Sequence, residues 1–271
     1  LLGYEASYDD MATTRLERTL RQSKCPVEVL NFSVSGFGTA EMLRTLEKEG
    51  LRYGPDAVIF QWHHTDPDDT LRADLYALDG DALVETGGTY LPAMGARRAV
   101  ESNFLFRFLA GHSHLFTILR EKGSRFVRRA MAGHVFSRKT TASAKEERPA
   151  GPLDLAILAR AEALSRAAGA PFFVVDVPSV QSRTRFRSSF RLLPETLTGR
   201  ANYISPLNAF EAAAGPKEKL YWEKGHRHLT PRGNAILAAA VAERLLADPQ
   251  AYDALGCAGS PTLPILARRG R

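Results

Sequence analysis

The protein is 271 residues long, of which 44% are hydrophobic and 24% charged, a balance that suits one large globular domain with a sizeable core. It carries no apolar run long enough to span a bilayer, no visible signal peptide, and a net charge of +6. That charge gathers at Arg183, Arg185, Arg187 and Arg191 and at Arg125, Arg128, Arg129, Arg138 and Lys139; no zinc-finger or aromatic RNA-binding signature interleaves with these runs. They therefore read as solvated surface rather than a nucleic-acid site, with an anionic surface or substrate as the remaining use.

A helix is predicted from about Met11, with Leu16 and Leu20 on one face. Ahead of it, Ser7 in Y-E-A-S-Y-D-D reads as a helix N-cap in preference to a reactive serine. Cys25 and Cys257 lie far apart without metal-ligand spacing; such a pair neither demands nor excludes a disulfide. Val27–Asn31 reads as a strand that runs into a turn carrying Gly36 and Gly38, and Glu41–Glu49 as a helix stopped by Gly50. Asp56–Trp62 is near-continuously apolar, as a strand buried on both faces should be. It ends in a polar cluster: His63, His64, Thr65 and Asp66. Two strands with a helix between them make a βαβ unit. Binding groups in such sheets gather beyond the carboxyl ends of the strands, so the glycine turn and the polar cluster should share one rim.

Tyr76–Val84 reads as a β-hairpin turning at Asp79-Gly80, outside the main sheet. Ala99–Arg129 is helical in pattern, with an aromatic stripe through Phe104, Phe106, Phe108 and Phe116 that serves as core or as a lid. Ser137–Gly151 is polar and unpatterned, hence a mobile loop. Leu153–Ala168 should be a helix with Leu155, Leu158 and Leu164 inward and Gly169 as its stop. Pro171–Val177 should be a strand, and Tyr203–Phe210 a short strand with a turn. The last helix should run from Thr230 to Ala247, with Thr230 as N-cap and Pro231 at its first position. Residues 1–247 then form one domain with an insertion at 76–150, and 248–271 a loose tail. No internal repeat is visible.

V-L-N-F-S-V-S-G-F-G-T, then L-E-K-E-G-L-R-Y-G-P-D-A-V-I-F with its polar end, and much later the run H-R-H-L-T-P-R-G-N before an Ala-rich helix, together resemble the GDSL/SGNH hydrolases. The resemblance extends to about Ala247 and implies a three-layer α/β/α, flavodoxin-like fold with a mostly parallel sheet. It also places the first, central strand and the nucleophilic Ser just upstream of Leu1, because Gly3 matches a Gly that follows the Gly-Asp-Ser motif. Loss of that strand would leave both of its neighbours, at Val27 and Asp56, with unpaired backbone groups.

By the same resemblance His228 is the catalytic base and Gly36 supplies an oxyanion-hole N–H, where a glycine lets backbone approach substrate. The alternative for Gly36 and Gly38 is the turn alone. The family's Asn donor aligns with Thr65, whose hydroxyl reaches less far; His64 could substitute for it. The family's Asp before the His is replaced: those places hold Gly225 and His226. Three arrangements stay open: Glu223 as the acid for His228, Glu223 with His226 as a shifted acid-base pair, or a weak dyad or dead site. A zinc site drawn from His63, His64, Asp66, Asp68, Asp69, His226 and His228 is a rival from another enzyme class, although no known zinc spacing is present. A non-enzymatic rival is a degenerate domain that binds a glycan or an assembly partner.

The expectation is hydrolysis or transfer of a small acyl group, such as acetyl, from an ester or acylated carbohydrate. It needs no cofactor, no metal and no nucleic-acid partner. Neither oligomeric state nor membrane contact is set by the residues; an upstream signal or anchor would put the protein at the cell envelope.

Overall fold

The computed structural model describes residues 6–34, 36–87, 103–104, 147–215, 218–223 and 228–258. One compact unit comprises Leu1–Gly88 with Glu147–Arg271; a second comprises Thr89–Glu146. The predicted Ala99–Arg129 helix, and the 137–146 part of the predicted loop, lie outside the described residues apart from Asn103 and Phe104.

The first unit is mixed α/β. A short 3-10 turn at Tyr8–Asp10 precedes helix α1 (Ala12–Gln22); α2 (Thr39–Lys48) leads through a second 3-10 turn to strand β1 (Val58–Trp62), and α3 is Asp66–Ala73. The hairpin β2 (Tyr76–Asp79) and β3 (Ala82–Glu85) turns at Gly80, where φ is +59°. After it come α4 (Pro152–Ala167), β4 (Phe172–Asp176), β5 (Ser179–Ser182), β6 (Arg185–Arg187), a 3-10 turn at Ser189–Leu192, and the short helix α5 (Glu195–Thr198). The order then continues through β7 (Tyr203–Ile204), α6 (Leu207–Ala213), α7 (Pro231–Ala247) and α8 (Pro249–Ala254).

The main sheet has the order β1-β4-β7 and is parallel throughout, with Val58 opposite Phe172 and Trp62 opposite Asp176. β4 is buried along its whole length because it is central and covered on both faces. Its side chains alternate. Phe173 and Val175 join one core with Leu16 and Leu20 of α1 and Leu237, Val241 and Leu245 of α7. Phe172 turns the other way and meets Phe60 edge-on, with ring centroids 5.1 Å apart.

Several elements differ from the sequence reading. Val27–Asn31 forms no strand and belongs to no ladder among the described residues. Side chains of α1 hold it instead: the Val29 N–H donates to Glu17 at 2.9 Å and the Arg21 guanidinium to the Val27 carbonyl at 2.7 Å. Leu30 within it, and Phe32 and Val34 just beyond it, are exposed. A strand is defined by its partner, and local β-propensity supplies none.

On α4 the core face is Asp154, Ile157, Leu158, Ala161 and Ser165; Leu158 points inward as expected, whereas Leu155 and Leu164 are only half-buried. The turn expected after Tyr203 is the helix α6. The start of the expected tail is ordered: α8 follows α7 directly, and Cys257 forms a disulfide with Cys25 across 232 residues. The loop's last residues are also fixed, Ala150 N–H donating to the Leu192 carbonyl at 2.8 Å. Ser7 does not cap with its side chain; its hydroxyl donates to Asp10 at 2.7 Å. No helix among the described residues is long and apolar enough to cross a membrane.

Candidate functional site

A parallel sheet delivers the carboxyl ends of its strands and the N-termini of the helices that follow to one rim. Here that rim carries the turn at Gly36, the start of α3 after β1, and the residues after β4. Gly36 has φ +82°, a backbone region that L-residues with side chains rarely adopt. Gly38 opens α2, and a Cβ built on it would stand 2.7 Å from the Cβ of Asp69. A side chain at Gly38 would therefore push the glycine turn away from α3. The two stretches singled out in the sequence meet here.

Three helix starts at this rim share one device. A carboxylate in the first turn accepts the backbone N–H that precedes its own helix: Glu41 from Gly38 at 3.0 Å, Asp66 from His63 at 2.9 Å and Asp154 from Gly151 at 2.8 Å. At Gly38 and Gly151 this pairs the N-cap donor of the helix in a capping box, whereas at His63 it ties down the backbone two residues ahead of the α3 N-cap. All three carboxylates are buried, and burial raises the pKa of each, Asp66 furthest. Asp69 pairs with Arg72, and Arg148 donates to the Pro67 carbonyl and to Asp154.

Thr65 is the N-cap residue of α3, but its hydroxyl makes no cap bond and lies exposed at the rim. Thr65 Oγ1 is 3.0 Å from His63 Nδ1. The His63 and His64 rings are tilted against each other, with centroids 4.0 Å apart. Desolvation, followed by the neighbouring His64, lowers the His63 pKa to about 3, so the ring is neutral across the physiological range. Burial first and Arg191 second also lower that of His64, whose Nδ1 is buried without a hydrogen-bond partner.

His228 lies on the far side of a short antiparallel contact. The Trp222 N–H donates to the His228 carbonyl at 2.9 Å, and Tyr221 bridges Leu229. Two residues on, Thr230 caps α7, its hydroxyl accepting from the Gly233 N–H at 3.2 Å. His228 Nδ1 is buried. Glu223 sits next to Trp222 in this contact, but its carboxylate turns to Arg183 at 2.5 Å and Lys219 at 3.5 Å. Lys219, then Arg183, lower the Glu223 pKa, so it stays ionised. His226 lies outside the described residues.

Asp176 was not singled out in the sequence. It ends β4, is fully buried, and accepts from the Ser188 hydroxyl at 2.5 Å, the Ser189 N–H at 2.8 Å and the Ser205 hydroxyl at 3.0 Å. Desolvation raises its pKa against these donors. The Trp62 indole donates to the Ser189 carbonyl at 3.1 Å. Together these bonds tie the segment after the β5–β6 hairpin to the sheet end. The one sequence signal was a carboxylate closing the apolar run F-F-V-V-D.

Among the described residues, no group of three or more His, Cys, Asp or Glu side chains is placed to hold a metal ion. Asp66 and Asp69, counted in the zinc rival, are engaged by the His63 N–H and by Arg72. No protein family, curated protein or solved structure matches this protein.

Proposed function

We propose that this is an SGNH-like domain that hydrolyses, or transfers, a small acyl group from an oxygen ester through serine-histidine chemistry. The observation that carries the reading is the meeting of the positive-φ turn at Gly36 with the α3 start, through the contact of Gly38 with Asp69. That geometry suits an oxyanion hole built from the Gly36 N–H and the Thr65 hydroxyl, with His64 beside it. His228 is the general base and then the general acid. Glu223, held ionised by two cations one residue beyond the Trp222–His228 contact, is the acid of first choice; His226 with Glu223 is the second. The reading places the nucleophilic Ser on residues that precede Leu1 and the fold in the three-layer α/β/α class. No cofactor takes part.

The second reading is a catalytically silent domain that binds a glycan or a partner. The engagement of Glu223 by Arg183 and Lys219 favours it, because a triad acid should face its histidine. An assay with p-nitrophenyl acetate separates the two, run on the protein with its upstream coding sequence restored. Hydrolysis that falls about 10²–10⁴-fold in His228→Ala, and about 10²–10³-fold in Thr65→Ala, is the expected result. No hydrolysis, or a rate indifferent to His228→Ala, sinks the hydrolase and leaves the binding domain.

A further inference from the structure

The arginines at 183–191 have a structural setting that the chemistry above does not use. β5 and β6 form an antiparallel hairpin that leaves the carboxyl end of β4 directly, with Ser179 opposite Arg187 and Val180 opposite Phe186. Phe186 anchors it. That ring is 8% exposed and packs on Phe210 and Tyr221, with centroids 5.6 and 5.9 Å away. Strand alternation then sends Arg185 and Arg187 to the opposite, exposed side. The strand sets them about 6.6 Å apart, so each can reach a separate anionic group. Arg183 extends the strip at the turn, and Arg191 lies on the 3-10 turn that follows β6.

The counter-charge is thin. Arg187 and Arg191 share Glu147, Arg183 and Lys219 share Glu223, and Arg185 has no carboxylate partner among the described residues. We propose that the outer face of the β5–β6 hairpin is a docking strip for a carboxylate-bearing carbohydrate chain, a polyuronate, which brings its ester to the rim beside Thr65. As a statement about substrate this rests on the hydrolase reading; as a binding surface it stands by itself.

A guanidinium fork matches a carboxylate in shape as well as charge. Across the hairpin, Ser179 pairs with Arg187 and Ser182 with Arg185; Ser179 donates to the Arg187 carbonyl and accepts from Gln181, both at 3.3 Å, which leaves Ser182 and the Gln181 side-chain carbonyl as polar neighbours suited to sugar hydroxyls. Trp222, 38% exposed, adjoins Glu223 and offers a flat apolar face to a sugar ring. Single-stranded nucleic acid calls for a row of exposed aromatic platforms, whereas the hairpin's own aromatic is buried.

The test uses the full-length protein and three immobilised polymers at low salt: polygalacturonate, dextran and oligo-dT. The expected result is salt-sensitive binding to polygalacturonate alone. Arg185→Gln/Arg187→Gln should melt at the wild-type temperature, because Phe186 is untouched, and bind polygalacturonate at least about tenfold more weakly. Arg185→Glu/Arg187→Glu should abolish binding. Failure of the wild type to bind, wild-type binding by a folded double variant, or tighter binding to oligo-dT would each overturn the proposal. Retained polyuronate binding in a protein that hydrolyses no acetyl ester keeps the strip and removes only the hydrolase reading.

Discussion

Gly233 shows how much a single residue can carry. In the sequence it is one letter of L-T-P-R-G-N. In the structure its N–H is the donor that the Thr230 cap accepts, and a Cβ there would stand 2.3 Å from the Leu220 carbonyl oxygen and 2.9 Å from Leu229 Cδ2. The first of these neighbours is backbone and cannot rotate away. Gly233→Ala should therefore cost about 1–3 kcal/mol and lower the melting temperature by several degrees; a melting curve that superimposes on the wild type would refute the clash. Gly36 was legible as a turn residue because only glycine adopts its φ freely. Glu223 was legible as a carboxylate near His228, but not as a partner of Arg183, which is 40 residues away.

At the scale of elements, buried carboxylates give the first turns of α2, α3 and α4 an unusual pH response. Glu41, Asp66 and Asp154 hold their protons more tightly folded than unfolded, because burial disfavours the ionised form. The groups facing Asp66 are Thr39, Asp69 and Asp154, with Arg72 and Arg148 paired to the latter two. A raised carboxylate pKa in the folded state makes stability greatest below the unfolded value of about 4 and removes it as pH rises through the folded pKa. These three groups should thus contribute a fall in unfolding free energy from about pH 4 upward. Asp66→Asn keeps an acceptor for the His63 N–H and should flatten that slope in denaturant titrations across pH; an unchanged slope would assign the pH dependence elsewhere. In the sequence these residues read as a polar strand end or as ordinary helix starts. Their convergence depends on the helices lying side by side, which no local pattern encodes.

Across the whole molecule, the Cys25–Cys257 disulfide joins the end of α1 to the segment after α8. It closes a loop spanning 232 residues, and in the chain-entropy account that constrains the unfolded state by on the order of 5 kcal/mol. Cys257→Ser, or dithiothreitol, should lower the melting temperature by roughly 10 °C or more; equal melting with and without reductant would show that the bond contributes nothing to stability. What the sequence determined by itself was everything set by near neighbours: the α/β class, the apolar strands β1 and β4, the β2–β3 hairpin at Asp79-Gly80, the Thr230 cap and the glycine turn. Tertiary structure alone decided whether Val27–Asn31 had a partner strand, that the two cysteines met, that three acidic helix starts converged, and that Arg183 claimed Glu223. Each of those depends on groups distant in sequence, and their pairing energy exists only once the fold has brought them together.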